Sequence, residues 1–231
     1  MPQTQQMNII AHIHSDFRDK FGIPRQSSLV PELESVIIFE PEYRNMDALR
    51  GLEQFSHIWL IWQFSESVRE GWSPTVRPPR LGGNKRIGVF ATRSPFRPNE
   101  IGLSSVRLCC IEKTPEMGPV IHVAGADLMD GTPIFDIKPY LPYVDSHPEA
   151  DGGFAEDYRD YHLKIDFPKE LMERVTDSKR KALCGVLAGD PRPAYQQDPA
   201  RVYGMNFAGY EIKFRVSGDV LTVLDVQIGD K

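Results

Sequence analysis

The sequence predicts a mainly β protein, a β-barrel over residues 1–145 joined by a linker at 146–165 to a small α+β C-terminal domain at 166–231. Three observations carry this. Short apolar runs of strand length recur through the first two thirds, bounded by turn residues and with almost no helical periodicity, the pattern of a barrel or sandwich. An acidic, turn-rich stretch from Asp145 to about Tyr161, centred on Gly152-Gly153, then interrupts that pattern. Beyond it lie one helical period and one strand-turn-strand pattern, about 70 residues that form a marginal domain alone and are expected to pack on the barrel.

Taken in order, strands are expected near Asn8 to Ile13 and at Leu33 to Phe39, with a helical excursion from Asp47 to Phe55. The run Ser56-His-Ile-Trp-Leu-Ile-Trp-Gln-Phe64 is continuously apolar and rich in aromatic and branched residues, which suits a strand covered on both faces. Further strands follow at Arg86 to Ala91, Ile101 to Ile111, Val120 to Ala124 and Ile134 to Ile137. Pro168 opens a helix whose apolar positions Leu171, Met172, Val175, Ala182, Leu183, Val186 and Leu187 recur at helical spacing, and Gly189 stops it. Tyr210 to Val216 alternates apolar and charged residues, and Ser217-Gly218-Asp219 turns the chain into Val220 to Ile228, giving a hairpin.

Apolar residues make up 41% and charged residues 26%, ordinary for a globular protein, and no apolar run approaches the roughly 18 residues of a membrane span. The start Met1-Pro-Gln-Thr-Gln-Gln lacks the basic and apolar regions of a secretion signal, so a cytoplasmic location is expected. Of the three cysteines, Cys109 and Cys110 are adjacent and Cys184 stands apart; no CxxC spacing exists, and buried structural thiols are expected. The net charge of −5 argues weakly against a polyanion partner, but its distribution argues the other way. Between Glu70 and Glu100 there is no acid, and the stretch holds Arg77, Arg80, Lys85, Arg86, Arg93 and Arg97. Its prolines stiffen the backbone and its arginines offer planar forks to phosphate or carboxylate. Gly82-Gly83 with Lys85 lacks the spacing of a nucleotide-phosphate loop, and no Gly-x-Gly occurs anywhere, which removes the dinucleotide-type signature.

Four blocks point further: Trp72 to Arg80, Gly88-Val-Phe-Ala-Thr-Arg-Ser-Pro-Phe-Arg-Pro-Asn99, Ile101-Gly102-Leu103, and Asp127-Leu-Met-Asp-Gly-Thr-Pro-Ile-Phe-Asp-Ile-Lys-Pro-Tyr-Leu-Pro142. Together they resemble the TsaA-like family, and Asp190-Pro-Arg-Pro-Ala-Tyr195 resembles the C-terminal signature of its bacterial tRNA-methylating members. The resemblance implies a β-barrel methyltransferase that acts as a homodimer and uses S-adenosylmethionine to methylate N6 of N6-threonylcarbamoyladenosine at position 37 of tRNA. It places cofactor contacts on Pro24, Arg25, Gln26, Ser65, Glu66, Arg93, Leu103, Leu128, Met129, Asp130 and Gly131. Ser65 stands where relatives carry histidine, and Glu100 where they carry proline.

Methylation at N6 needs the nitrogen lone pair freed from conjugation, which a carboxylate accepting the N6 hydrogen assists; Asp127, Asp130 and Asp136 are the candidates, with Asp130 preferred as the catalytic residue by its motif position. A threonyl carboxylate calls for an arginine fork, Arg80, Arg86 or Arg97, while Arg192 and Tyr195 are expected on the anticodon stem-loop. A sulfonium carries its own leaving group, so no metal is required; His12 and His14 share a strand face without a fixed third ligand, and His57 reads as a hydrogen-bonded core or rim residue rather than a base. The alternative is a barrel that binds RNA or a nucleotide without chemistry.

Overall fold

The computed structural model describes residues 5–78, 81, 85–192 and 198–229. Strands β1 (Ala11–His14), β2 (Glu34–Phe39) and β3 (His57–Gln63) are followed by a two-residue ribbon, β4 (Thr75–Val76) with β5 (Ile87–Gly88). Then come β6 (Ile101–Thr114), β7 (Gly118–Ala124) and β8 (Thr132–Pro139). The six longer strands close an antiparallel barrel in the order β1-β2-β7-β6-β3-β8. Closure pairs each of the six strands on both sides over the barrel itself. Its interior is a packed core, with Ile13, Ile37, Ile58, Leu60, Val106, Ile121 and Ile134 all fully buried. Any ligand must therefore bind outside the barrel wall.

The apolar run of β3 is covered on one face, correcting the expectation of two. Ile58, Leu60 and Trp62 point into the barrel, whereas His57, Trp59, Ile61 and Gln63 are half-buried on the outer wall. Of these, His57, Trp59 and Gln63 line a cleft. On the neighbouring strand, a Cβ added to Gly102 would lie 2.2 Å from the Trp62 indole, so the glycine lets the ring lie flat against the backbone.

Other local expectations also shift. The excursion after β2 is two short 3-10 turns, Met46–Leu49 and Leu52–Gln54, separated by Gly51 at φ 91. The segment near Arg86 gives only β5 and a 3-10 turn, Val89–Ala91. Cys109 and Cys110 are both exposed rather than buried, and Cys184 is half-buried. The β6–β7 register slips between Leu108 and Cys110, a bulge that leaves Cys109 unpaired where β6 runs on past the covered part of the barrel.

The chain continues through α1 (Pro142–Asp145), a 3-10 turn at Gly153–Tyr158, β9 (Lys164–Asp166), α2 (Lys169–Met172), α3 (Asp177–Ala188), β10 (Tyr203–Phe207), β11 (Tyr210–Ser217) and β12 (Val220–Ile228). The last strands form a sheet in the order β10-β11-β12-β9, with β9 parallel to β12. The single expected helix is broken between Glu173 and Thr176. Arg180 explains the break: its guanidinium donates to the carbonyls of Met172 at 3.0 Å and Val175 at 2.9 Å, satisfying the end of α2 before α3 begins.

The second hydrophobic core is not built from the C-terminal sheet and helices alone. Phe17, Val30 and Leu33, from the long loop between β1 and β2, are buried with Leu183, Leu187, Phe207 and Phe214. A Cβ on Gly185 would come within 2.7 Å of Val30, so α3 packs on this loop at backbone distance. Lys179 seals the contact with an ion pair to Asp16 at 2.7 Å. The C-terminal part thus holds the loop that forms one wall of the cleft.

Candidate functional site

The cleft, about 1740 Å³, lies against the outer wall of β3 and β6. One wall is the β1–β2 loop through Pro24, Arg25, Gln26 and Ser28; the other runs from Phe90 to Asn99; Ser65–Ser67, Asp127 and Met129 complete the lining. Leu103, 57% exposed, and Ile101 stand in it as apolar side chains without cover. Lys20 ties the loop to the turn after β3, donating to the Glu66 carbonyl and to the Ser67 hydroxyl at 3.2 Å. Arg93 bridges the two walls by donating to the Gln26 side-chain oxygen. Sites for a single drug-sized ligand run to roughly 300–1,000 Å³, so this cleft has room for two molecules side by side.

Asp127 is the carboxyl at its floor. The Trp62 indole donates to Ser104 Oγ at 3.0 Å, and that hydroxyl donates to Asp127 Oδ1 at 2.6 Å. Burial pushes the Asp127 carboxyl above its ordinary range, against the pull of the Ser104 hydroxyl and the nearby Arg93 charge. A second carboxyl, Asp145, accepts from Trp59 Nε1 at 2.9 Å and from the Leu141 amide at 2.8 Å, bonds that hold it below the usual range and pin α1 to the rim. His57 packs edge-on against Tyr140 and bonds Ser56, a rim position as expected.

The fold brings most of the sequence-selected cofactor residues to this cleft: Pro24, Arg25, Gln26, Ser65, Glu66, Arg93, Leu103 and Met129 all line it. Leu128, Asp130 and Gly131 do not. Leu128 is buried in the barrel core, and Gly131 sits in the turn before β8 at φ 76. The exposed Asp130 carboxylate lies 3.1 Å from His14 Nδ1 and accepts the Ser15 amide at 3.1 Å. His12 is likewise occupied, 2.8 Å from Glu40, and Asp136 pairs with Lys138 at 2.7 Å. Among the described residues, no group of three metal-ligating side chains forms.

Of the arginines selected for RNA, Arg97 lines the cleft and Arg86 a neighbouring groove, while Arg80 and Tyr195 lie outside the described residues. Arg192 is engaged inside the protein. It forks onto Asp190 at 2.8 and 2.9 Å, with both side chains only 11% exposed, and Tyr161 donates to the same carboxylate at 3.0 Å. Burial works against the charge on Asp190, but Arg192 and Tyr161 outweigh it and hold the carboxyl below its usual range. Arg192 meets the cleft through its backbone, whose carbonyl accepts from Arg25 Nη2 at 3.3 Å. The guanidinium thus braces the cleft wall and is not presented to a phosphate.

Comparison with known proteins gives one consistent result. The family model described as the tRNA-methyltransferase O N-terminal domain matches residues 12–146, and that of the TrmO C-terminal domain matches residues 160–228. The chain is 38% identical over 220 residues to the tRNA (adenine(37)-N6)-methyltransferase of Escherichia coli K12, covering 92% of this chain and 93% of that protein. It is also 38% identical to a putative S-adenosylmethionine-dependent methyltransferase of Pseudomonas aeruginosa, covering 98% and 100%. A crystal structure of TrmO from Pseudomonas aeruginosa superposes with a TM-score of 0.78 at 34% identity over 99% of both chains.

Proposed function

Since the chain belongs to the tRNA-methyltransferase O family, we propose that it transfers a methyl group from S-adenosylmethionine to N6 of adenine 37 in tRNA, in the cleft on the outer barrel wall. The observation that carries the reading is a cleft with space for a cofactor and a nucleotide, floored by a half-buried carboxyl that Ser104 fixes, in a chain of this family. We read the substrate more finely as N6-threonylcarbamoyladenosine, the acting form as a homodimer and the location as cytoplasmic. Among the described residues no helix is long and apolar enough to cross a membrane.

The residues fit such a cofactor. Leu103, Met129 and Pro24 supply apolar walls for an adenine, while Gln26, Arg93 and the Arg25 backbone offer polar groups for an amino-acid end. When bound, S-adenosylmethionine supplies an electrophilic methyl on a cationic sulfur. The walls would hold the target nitrogen beside that methyl, and such positioning is worth much of the acceleration. Asp127, at the cleft floor beside Ser104, would accept the N6 hydrogen as the lone pair is drawn out of conjugation. Asp130 then serves the turn before β8 by fixing His14 and the Ser15 amide.

Ligand linkage tests the cofactor assignment. At about 100 times its dissociation constant, S-adenosylmethionine is expected to stabilise the protein by roughly 2.7 kcal/mol, read as a rise in melting temperature. A melting curve that S-adenosylmethionine leaves unmoved contradicts it and favours a barrel that binds RNA without chemistry.

A further inference from the structure

Beside the cleft runs a second groove of about 1400 Å³, continuous with it through Gln26, Phe90, Arg93 and Arg97. Its surface pairs flat rings with cations. Trp72 is 56% and Phe90 73% exposed, and their ring centroids lie 6.1 Å apart with a tilt of 32°, so the two rings form one exposed aromatic pair. Phe96 lies in the same groove with the Arg69 guanidinium 3.5 Å from its ring centroid. Arg77 and Arg86 line it too, both exposed, and among the described residues neither pairs with a carboxylate. Two acids, Glu70 and Glu100, face these cations, so the groove is basic on balance.

Exposed rings in a contiguous patch mark an interaction site, because packing alone leaves no reason to keep them in water. A purely apolar partner does not explain the arginines, and a purely electrostatic one does not explain the rings. Single-stranded RNA explains both: every base has a face that stacks on an aromatic ring, and each phosphate calls for a guanidinium. We propose that this groove is a stacking platform for the unpaired nucleotides that flank the target adenosine, with Trp72 and Phe90 under the bases and Arg77 and Arg86 on the phosphates. The inference rests on the reading of the adjacent cleft as the methylation site. Groove and cleft share Gln26, Phe90, Arg93 and Arg97 as lining residues, so nucleotides on the groove would lie beside the adenosine turned into the cleft.

The test uses full-length protein and an anticodon stem-loop RNA hairpin, intact or with an abasic position on either side of the adenosine. Trp72→Ala is expected to weaken binding of the intact hairpin by roughly 5- to 150-fold per stacked base. The abasic hairpin at that position should show no such difference, and Trp72→Phe should restore most of the loss. Arg77→Ala should lower the slope of log affinity against log salt by about 0.7, the single-strand value for one phosphate. Because Trp72 is exposed and lies outside the cleft, its truncation removes no core contact, and an unchanged melting shift of Trp72→Ala with S-adenosylmethionine verifies the fold. If Trp72→Ala and Phe90→Ala bind the intact hairpin as wild type does while wild type still methylates tRNA, the platform is wrong and the methylation reading stands. A drop in sedimentation mass of these variants, with RNA affinity kept, assigns the rings to a contact between copies and also overturns it. Wild type that neither binds nor methylates tRNA removes both.

Discussion

Asp127→Asn is expected to lower single-turnover methyl transfer to tRNA by about 10²- to 10⁴-fold, the usual worth of a positioned general base, while tRNA affinity stays within a few-fold. The substitution keeps the side chain's shape and its place beside Ser104 but removes the proton acceptor. Two features single out this carboxyl. It is the one that the Trp62-Ser104 chain fixes at the cleft floor, and burial raises its pKa so that it is a stronger base than an exposed aspartate. The sign of the pH effect follows. A base acts when ionised, so the wild-type rate should fall as pH drops through a value above the ordinary carboxylate range, and the Asn variant should lack that acid limb. Asp130→Asn should cost less than about tenfold, because its carboxylate serves His14 and Ser15 outside the cleft. A larger loss at Asp130 than at Asp127 would reverse the assignment made here and restore the one suggested by motif position.

Arg97→Ala is expected to slow transfer to threonylcarbamoylated tRNA by roughly 10- to 150-fold, the worth of about 1.5–3 kcal/mol for a hydrogen bond to a charged group, and to leave transfer to unmodified adenosine nearly unchanged. Arg97 Nη1 donates to the carbonyls of Thr92 at 3.0 Å and Ser94 at 3.4 Å, which fixes the guanidinium at the cleft wall. Its remaining N–H groups have no acceptor among the described residues, so the fork is held in place with donors to spare for a substrate carboxylate. Of the arginines selected in the sequence, Arg86 instead lines the second groove. Rates measured on both tRNAs separate recognition of the threonyl carboxylate from general RNA affinity; an equal loss on both would assign Arg97 to the phosphate backbone.

The barrel was legible because its strands are short and bounded by turns, and the C-terminal hairpin because Tyr210 to Val216 alternates so regularly. β10 was not, since Tyr203-Gly-Met-Asn-Phe207 is short and carries two poor strand formers. For β3, a two-residue period was hidden by composition: Trp59 and Ile61 are as apolar as Leu60, yet only Leu60 is buried in the barrel, and Trp59 lines a cleft that only the tertiary structure reveals. The bulge at Cys109 is equally silent in sequence, because nothing in Leu108-Cys-Cys-Ile111 signals a register slip.

The site shows the same division. Residues far apart in the chain, Gln26, Glu66, Arg93 and Leu103, were selected by motif, and the fold brings them together. Within the Asp127–Gly131 block, motif could not say which carboxyl faces the cleft, since a turn of four residues sends Asp127 and Asp130 to different surfaces. The engagement of Arg192 inside the protein was hidden for a similar reason. An arginine two residues after an aspartate can reach solvent or fold back, and here the positive φ of 55 at Asp190 turns the chain so that the two side chains meet.

The central claim is most directly tested by incubating the wild-type protein with methyl-labelled S-adenosylmethionine and tRNA, with and without prior threonylcarbamoylation, then digesting the RNA and locating the label. The account predicts label on N6 of adenosine 37, appearing faster on the threonylcarbamoylated tRNA and lost when Asp127 is replaced by Asn. Label at another nucleotide, or tRNA bound tightly with no label transferred, would contradict it.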